Sequence, residues 1–351
     1  MCRGRVTISI DKSKGAIEVQ LADAIVVGGG PAGSTCAWKL REAGLDVIVL
    51  DRAAFPRHKL CAGWVTPEVL SDLEVDSRDY PLGLMTFDKL HIHWKALTVK
   101  LKSPQHSIRR LEFDHFLLRR AGVRVLQHKV SKVQQDNGDH IIDGKYRARF
   151  LIGAGGTACP VYRTYFNGRN PRRSALQTAT YEQEFAYRWE DPRCHLWFFD
   201  NGLPGYAWYV PKANGYINVG LGGMADKLKQ QGGHIREHWR MFVDKLRRKK
   251  LVSYDDYHPT GYSYYLRGDA DVSAGNTYIV GDAAGLATRD MCEGIGPAVK
   301  TGLLAADAII TGAGYSLAGL SEFTGRGLAS RILERKFVGH EVGVERRAPF
   351  R

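Results

Sequence analysis

The chain contains no apolar run long enough to cross a membrane, and no signal-peptide core lies at its N-terminus. Its six cysteines form no CxxC pair, so we expect free thiols in a reducing cytosol. Internal repeats, low-complexity segments and nucleic-acid-binding motifs are also missing from the sequence. The composition of the 351 residues, 44% hydrophobic and 25% charged, is that of an ordinary globular protein. We therefore predict a cytoplasmic protein with one large domain or two.

Positive charge is in excess, with a formal net charge of +13. The basic residues are scattered, apart from dense clusters at Lys245–Lys250 and Arg346–Arg347. Because no nucleic-acid motif accompanies them, we expect no nucleic-acid partner. Two interpretations stay open: a basic surface without a specific partner, and peripheral contact with the anionic inner face of a membrane. The oligomeric state is not predicted.

Residues 24–52 have the pattern of a strand, a glycine turn, a helix and a second strand. A short apolar run leads into the turn GGGPAG at Gly28–Gly33, and a second apolar run ends at Asp51. In such a turn Gly28 and Gly30 let the backbone approach a pyrophosphate, and Gly33 lets the helix pack closely on the strand. The helix N-terminus presents free N–H groups to the phosphates, and Asp51 can accept hydrogen bonds from ribose hydroxyls. The segment therefore predicts a dinucleotide site.

A second glycine turn lies near the other end of the chain. A buried strand leads into GDAAG at Gly281–Gly285, where the Asp282 carboxylate can hold a hydroxyl of a ribityl or ribose chain. Glu293–Gly296 then precedes Pro297, and proline suits the first position of a helix. The positive end of that helix would stabilise the N1/O2 edge of an isoalloxazine ring, which becomes anionic on reduction, by roughly 0.3–1 kcal/mol.

The presence of two nucleotide-type turns indicates the cofactor. A simple NAD dehydrogenase needs only the first turn. FAD is long enough to need both, with its ADP part at the first and its ribityl chain and flavin at the second. We therefore predict non-covalently bound FAD.

Four motifs resemble those of the FAD-dependent oxidoreductases with the p-hydroxybenzoate hydroxylase-type fold. They are GxGxxG at Gly28–Gly33, R-x-x-F-D at Arg110–Asp114, the strand and turn at Ile152–Gly156, and GDAAG at Gly281–Gly285. Within that superfamily the chain most resembles the geranylgeranyl reductase family. The motifs that carry this narrower resemblance are Cys61–Trp64, the strand pair Gly205–Lys212 and Asn218–Gly222, and EGIG at Glu293–Gly296. The resemblance covers about residues 22–312.

The two turns and the resemblance together give the predicted site. The cofactor-binding residues are Gly28, Gly30, Pro31, Ala32, Gly33, Asp51, Arg52, Cys61, Ala62, Gly63, Arg110, Val130, Gly281, Asp282, Gly285, Gly294, Ile295 and Gly296. The predicted substrate pocket consists of Trp64, Tyr206, Trp208 and Pro211. Cys61 is the candidate catalytic residue, either as a proton donor or as part of the pocket wall. No metal site is predicted, because His91 and His93 share one strand face without a third ligand.

The resemblance implies reduction of carbon–carbon double bonds in an isoprenoid or other lipid-like substrate, with hydride delivered from flavin N5. A reduced nicotinamide or ferredoxin is the expected electron donor. Two alternatives stay open, since fold does not determine function. One is a flavin-dependent monooxygenase or halogenase-like enzyme acting on an aromatic or polyketide substrate. The other is a flavin protein that serves as an electron carrier.

The predicted fold is α/β, with a Rossmann-like FAD-binding domain interleaved with a smaller sheet-and-helix substrate domain. The FAD-binding domain comprises residues 22–75, 108–165 and 262–312, and the substrate domain residues 76–107 and 166–261. Residues 313–351 form a C-terminal helical tail. Local patterns predict a strand at Val130–Val133, a basic helix at about 234–249 and a long helix that begins at Pro297. An alternating stretch at Val6–Ile10 suggests an N-terminal edge strand.

Overall fold

The computed structural model of the protein describes residues 19–325 and 328–338. Four features named in the sequence analysis lie outside these residues: the predicted edge strand at Val6–Ile10, Cys2, the basic pair Arg346–Arg347 and the last part of the predicted tail. The five cysteines within them are free. None of the helices in these residues combines the length and the apolarity needed to span a bilayer.

The described chain forms two sheets and seven α-helices. The strands are β1 (Gln20–Val27), β2 (Val47–Asp51), β3 (Trp64–Val65), β4 (Met85–Trp94), β5 (Leu97–Ser107), β6 (Arg124–Gln127), β7 (Val133–Asp136), β8 (Asp139–Ile142), β9 (Tyr146–Gly153), β10 (Gln177–Ala186), β11 (Cys194–Phe198), β12 (Gly205–Lys212), β13 (Tyr216–Met224), β14 (Thr260–Tyr265), β15 (Ser273–Ala274) and β16 (Thr277–Ile279). The helices are α1 (Pro31–Glu42), α2 (Pro67–Asp72), α3 (Arg110–Ala121), α4 (Ala225–Gln230), α5 (Ile235–Arg248), α6 (Ile295–Thr311) and α7 (Leu328–Val338).

The first sheet is largely parallel, in the order β15-β16-β9-β1-β2-β6, and the hairpin β7-β8 joins it antiparallel to β9. β2 and the C-terminal halves of β1 and β9 are buried and largely apolar, as expected where both faces of a parallel sheet are covered. Ala24 and Val26 of β1 pack towards α1, α3 and α6, whereas Ile25 and Val27 pack into the cluster on the opposite face. Since parallel strands end at one edge, the turns that follow β1, β2 and β9 lie side by side.

The second sheet is mainly antiparallel, in the order β14-β10-β13-β12-β11-β4-β5-β3. One face is covered by α5, whose buried residues Trp239, Phe242, Val243 and Leu246 have the spacing of a helical stripe. The opposite face carries a second aromatic cluster that includes Trp64, Phe198, Tyr206 and Trp208. This opposite face forms one wall of the cavity described below.

The structure corrects two of the local predictions. Val130–Val133 is not a strand: the Asp143 carboxylate accepts hydrogen bonds from the backbone N–H groups of Ser131 and Lys132, and β7 begins only at Val133. Helix α6 begins at Ile295 rather than at Pro297. The proline therefore lies within the first turn, where its missing N–H costs no helical hydrogen bond. The basic helix expected at about 234–249 is α5.

The division into domains stays a prediction. Two strands lie wholly or partly in ranges predicted for the FAD-binding domain, yet both pair within the second sheet. β3 lies inside the predicted range 22–75, yet it pairs with β5. β14 crosses the predicted boundary at residue 262 and pairs with β10.

Candidate active site

A cavity of about 540 Å³ is lined by residues of both sheets and of the turns between them. This volume lies within the range of small-molecule and cofactor sites. The predicted site residues that line it are Gly28, Gly30, Pro31, Ala32, Asp51, Arg52, Cys61, Ala62, Trp64, Arg110, Val130, Tyr206, Trp208, Asp282, Gly294 and Ile295. Both glycine turns thus open into one cavity, although more than two hundred residues separate them in the sequence.

The first turn ends at the N-terminus of α1. Within the described residues no side chain caps this helix end, and its first turn contains no acidic residue. Gly28 has φ +115°, and a Cβ at this position would lie 2.3 Å from the carbonyl oxygen of Ala154. The free end of α1 therefore presents backbone N–H groups and a positive dipole to the cavity.

Asp51 ends β2 and lies under the same turn. Its Oδ2 accepts a hydrogen bond from the backbone N–H of Gly29 at 2.8 Å, and its Oδ1 accepts one from Ala53 at 2.9 Å. Each carboxylate oxygen has a further lone pair, and the residue lines the cavity. Asp51 can therefore hold the turn in place and still accept a hydrogen bond from a ligand hydroxyl.

The second turn places Asp282 in the wall of the cavity. Its Oδ2 accepts a hydrogen bond from the Tyr262 hydroxyl at 3.2 Å. The turn is fastened to α6, because the Gly281 N–H donates to Thr301 Oγ1 at 3.0 Å. Lys59 Nζ lies 3.1 Å from the centroid of the Tyr262 ring, which brings a cation to the same place. The Asp282 carboxylate thus contacts the Tyr262 hydroxyl and also lines the cavity, where it can accept a hydrogen bond from a ligand.

The N-terminus of α6 presents fewer free N–H groups than the sequence predicts. The Gly296 N–H donates to Glu293 Oε1 at 2.6 Å, so one of the helix-end donors expected to face the ligand already has a partner. Burial raises the pKa of Glu293 to about 7, although the N–H groups of Gly296 and Ile295 oppose that rise. Gly294 and Ile295 line the cavity, whereas Gly296 does not.

Arg110 lies at the start of α3 in a buried bidentate pair. Its Nε and Nη2 donate to the two oxygens of Asp114 at 2.7 and 2.9 Å, and Asp114 is fully buried. A second guanidinium, that of Arg57, lies 3.4 Å from the same carboxylate and lines the cavity beside Gly30. Asp114 therefore orients two arginines close to the first glycine turn.

The loop that carries Cys61 is fastened from below by the second sheet. Lys212 Nζ donates to the carbonyl oxygens of Ala62 at 2.6 Å and Ile108 at 2.7 Å. Asn218 Nδ2 donates to the carbonyl oxygen of Cys61 at 3.3 Å. The Cys61 thiol itself accepts from the Gly63 N–H at 3.3 Å and is partly exposed to the cavity. These contacts hold the thiol in one position above the aromatic face of the sheet.

Two aromatic side chains of β12 line the cavity. The Tyr206 hydroxyl donates to the carbonyl oxygen of Met291 at 2.6 Å, and Trp208 Nε1 donates to Asn218 Oδ1 at 2.6 Å. Because side chains alternate along a strand, Tyr206 and Trp208 share the cavity face. Pro211 has the opposite parity and does not line the cavity, which corrects its assignment to the substrate pocket.

Five predicted glycines stand behind the cavity wall rather than in it. They are Gly33, Gly63, Gly281, Gly285 and Gly296. A Cβ on Gly33 would lie 1.9 Å from the Gly28 carbonyl oxygen, and one on Gly63 would lie 2.2 Å from that of Ile108. Their lack of a side chain allows close packing, so they shape the site without contacting a ligand.

Sequence reasoning missed several residues of the cavity wall. The most informative are Arg57, Lys59, Glu182, Tyr262, Tyr264 and Glu293. The basic triplet Arg57–Lys59, placed between the first turn and Cys61, was a signal in the sequence for a cationic wall. Glu182 carried a weaker signal: it belongs to an alternating series of polar residues in a strand-like segment.

Charge in the cavity wall is mixed, with cations in excess. The cationic side chains are Arg52, Arg57, Lys59, Arg110, Lys129 and Arg163, and the acidic side chains are Asp51, Glu182, Asp282 and Glu293. Such a wall suits a ligand with a doubly charged pyrophosphate. In the described part of the chain no group of three or more potential metal ligands occurs. His93, one of the two histidines considered from the sequence, contacts His195 Nδ1 through its Nε2 at 2.9 Å.

Comparisons with known proteins agree with this geometry. A family profile described as "FAD dependent oxidoreductase" matches residues 23–296. Menaquinone reductase of Mycobacterium tuberculosis is 28% identical over 320 residues, which cover 82% of this chain and 76% of that protein. Digeranylgeranylglycerophospholipid reductase 2 of Methanosphaera stadtmanae is 27% identical over 331 residues, which cover 86% of this chain and 81% of that protein.

Among solved structures, a geranylgeranyl bacteriochlorophyll reductase-like protein from Thermoplasma acidophilum superposes with a TM-score of 0.68. The two chains are 18% identical, and the match covers 84% of this chain and 80% of the other. At that identity the likeness concerns the fold alone. The match agrees with the α/β fold, in which a parallel sheet with glycine turns lies beside a second sheet.

Proposed function

Because the chain belongs to the FAD-dependent oxidoreductases, we propose that it reduces carbon–carbon double bonds in an isoprenoid or other lipid-like chain. The observation that carries the proposal is an aromatic wall, formed by Tyr206, Trp208 and Trp64, in the same cavity as two nucleotide-type turns. The names of the relatives support it: menaquinone and digeranylgeranylglycerophospholipid both contain an isoprenoid chain.

The residues present fit FAD. The uncapped end of α1, with Arg57 beside it, would hold the pyrophosphate. Asp51 would accept hydrogen bonds from the adenosine ribose, and Asp282 would accept them from the ribityl chain. Gly294 and Ile295 leave backbone beside the cavity against which a flat ring could lie. Bound FAD, once reduced, supplies a hydride.

The protein's own residues would bind and orient the substrate. The apolar side chains of the second sheet exclude water and gain roughly 25 cal/mol per Å² of buried surface, or about 0.8 kcal/mol per CH₂. Affinity should therefore rise with chain length until the pocket is full. The hydroxyls of Tyr206 and Tyr264 donate to the carbonyl oxygens of Met291 and Cys292, so the rings are fixed and present their apolar surface. Cys61 would stand at the junction of the cofactor and substrate parts of the cavity.

The test is a single turnover without air. Dithionite reduces the holoprotein, prenyl compounds of several lengths are added, and flavin reoxidation is followed together with product mass. A gain of two mass units for each double bond supports the proposal. If the reduced flavin is untouched by every prenyl chain, yet aromatic substrates gain oxygen or halogen once air and halide are admitted, the monooxygenase or halogenase alternative replaces it. Reoxidation by other redox proteins alone would indicate an electron carrier.

We also propose a reduced nicotinamide or ferredoxin as the electron donor. The oxidised holoprotein is mixed with NADH, NADPH or reduced ferredoxin without air, and bleaching of the flavin is recorded. The donor is the one that bleaches the flavin at the rate of steady turnover. If none of the three bleaches it, this part of the proposal is wrong.

Peripheral contact with an anionic membrane is proposed at the β4-β5 hairpin. Leu97, Val99 and Leu101 form an apolar row on β5 with exposed fractions of 63%, 47% and 46%. Trp94, which pairs with Leu97 across the hairpin, is exposed as well. Lys95, Lys100 and Lys102 are exposed on the same hairpin. An apolar row with Lys95 at the adjoining turn suits insertion beneath anionic headgroups, to which a lysine near the surface adds about 1 kcal/mol. Lys100 and Lys102 alternate with the row and lie on the opposite face of β5.

A further inference from the structure

Glu182 is a buried carboxyl group in the cavity wall, and FAD binding and the apolar substrate pocket leave it without a role. It lies on β10, is only 2% exposed and lines the cavity with Cys61, Tyr206 and Trp208. Its Oε1 has no hydrogen-bond partner among the described residues. A buried polar atom without a partner costs stability, so its retention facing a ligand cavity points to a functional role.

Several charged groups face Glu182 from the elements packed around it. They are Lys212 on β12, Lys59 in the loop before Cys61, Glu184 on its own strand and Arg110 on α3. Their hydrogen bonds go elsewhere: Lys212 donates to the carbonyls of Ala62 and Ile108, and Arg110 to Asp114. Lys59 lies over the Tyr262 ring. Glu182 is therefore near positive charge without being part of a closed ion pair.

The protonation state follows from this environment. Burial raises the pKa of Glu182 to about 8, although Lys212 and Lys59 oppose that rise. The carboxyl group therefore holds a proton at neutral pH and can release it nearby, as a general acid must. The lysines favour the carboxylate that remains after the proton has left.

We propose that Glu182 donates the proton that completes reduction of the substrate double bond. This inference rests on the proposed reductase function. One alkene carbon accepts a hydride from bound reduced FAD and forms a new C–H bond. The electron pair of the broken π bond takes the Glu182 proton at the other carbon. The substrate gains two hydrogens, the cofactor is oxidised by two electrons, and the carboxylate regains its proton from water.

Cys61 has a different part in this arrangement. Its thiol accepts a hydrogen bond from Gly63, and the loop that carries it is fastened by Lys212 and Asn218. We assign Cys61 to the pocket wall, where it lines the same cavity as Glu182.

The experiment compares Glu182→Gln with Glu184→Gln in the single-turnover assay with dithionite-reduced holoprotein and a prenyl substrate. Glu184 lies two residues further on the same strand face, does not line the cavity and pairs with Arg109. It controls for the loss of a carboxyl group near Glu182; because its charge helps to raise the pKa of Glu182, Glu184→Gln should shift the pH profile to lower pH without removing the proton donor. General acid catalysis contributes typically 10²–10⁴-fold, so the rate of substrate reduction should fall by roughly that factor in Glu182→Gln only. FAD content, flavin spectrum and substrate binding should be unchanged in both variants, and Glu182→Asp should restore part of the rate.

The pH profile of the natural protein gives an independent readout. Its single-turnover rate should fall as the pH rises through about 8, where Glu182 loses its proton. A profile that is flat through this range overturns the assignment, even if the Gln variant fails to bind FAD. If the natural protein reduces prenyl chains and Glu182→Gln does so at a similar rate, Glu182 is not the donor and the reductase proposal stands. If the natural protein reduces no prenyl chain, the reductase proposal fails and the role of Glu182 fails with it.

Discussion

Glu182 and Trp208 lie in one row of the second sheet, on either side of Gly220. Glu182 pairs with Gly220 across β10 and β13, and Trp208 pairs with the same glycine across β12 and β13. A Cβ on Gly220 would lie 2.5 Å from the Glu182 Cβ and 2.4 Å from Cζ2 of the Trp208 ring. The indole therefore lies across the bare backbone of Gly220 and reaches the carboxyl-bearing strand.

Gly220→Ala should destabilise the protein because the added methyl group collides with both neighbours. Overpacking of this kind costs about 1–3 kcal/mol. The free energy of unfolding, measured by denaturant titration of the holoprotein, should fall by that amount. Gly168→Ala is the matched control, since a Cβ there meets no atom within 4 Å. Equal stability of the two variants would show that the indole does not occupy this position.

Asp282→Ala should weaken FAD retention. Loss of a hydrogen bond to a buried partner costs on the order of 1–3 kcal/mol, which is roughly tenfold to a hundredfold in affinity. The dissociation constant is measured by titrating the apoprotein with FAD and following flavin fluorescence. Asp271→Ala, a change at a half-exposed carboxylate outside the cavity, should leave the constant unchanged. FAD binding that is as tight in the Asp282 variant as in the natural protein would contradict the ribityl contact.

Asp51→Ala should also lower FAD affinity, but it should leave the visible spectrum of bound flavin nearly unchanged, since the ribose lies far from the ring. The structure adds a second effect: the N–H groups of Gly29 and Ala53 lose their acceptor. Asp51→Asn keeps one acceptor oxygen, so its loss of affinity should be smaller. A large shift of the visible bands in either variant would place Asp51 near the flavin instead.

Glu182 should make the protein less stable as the pH rises from about 4.3 to about 8. Its pKa is raised to about 8 in the folded protein, against about 4.3 in an unfolded chain. Between these values the folded state binds more protons than the unfolded state, so stability decreases as the pH rises through this interval. Above pH 8 the loss should reach a few kcal/mol as an order of magnitude. The melting temperature of Glu182→Gln should fall less between pH 6 and pH 9 than that of the natural protein, and parallel curves would refute the shift.

The double change Leu97→Gln and Val99→Gln should reduce binding to vesicles that contain anionic phosphatidylglycerol. Loss of about 1 kcal/mol of apolar burial corresponds to roughly fivefold in affinity. Sedimentation with vesicles measures the bound fraction, and added salt should lower it for the natural protein. Ile310→Gln alters an exposed residue at the far end of α6 and should have no effect. Equal binding by both variants would exclude the hairpin as the contact.

The parts of the structure that depend on local chemistry could be predicted from the sequence. The unit β1-α1-β2 follows from a glycine turn between two apolar runs, and α5 follows from a helical stripe of apolar residues. The alternation of apolar residues between 89 and 101 is enough to predict β4 and β5 as two strands, but not their antiparallel pairing. In each case the information lies within about thirty residues, so periodicity is sufficient.

The parts that depend on distant partners could not be predicted. The Val130–Val133 prediction was wrong because the Asp143 carboxylate, ten residues beyond Val133, binds the backbone of Ser131 and Lys132. Glu182 reaches the cavity only through its register with Gly220 and Trp208. Pro211 is a different kind of error, because alternation from Tyr206 already places it on the opposite face. Pro211 was assigned to the pocket from the family motif, and the two-residue period of the strand was not applied to it.

The hydrogen bonds of Lys212 restrict how this cavity can change its width. Its ammonium group joins the Cys61 loop, through Ala62, to the position after β5, through Ile108, while its backbone belongs to β12. The loop therefore cannot swing away from the aromatic sheet as a separate lid; it must travel with the sheet as one rigid body. A longer or bulkier substrate would have to be admitted by displacing the whole sheet against the nucleotide-type turns, or by shorter side chains at the wall.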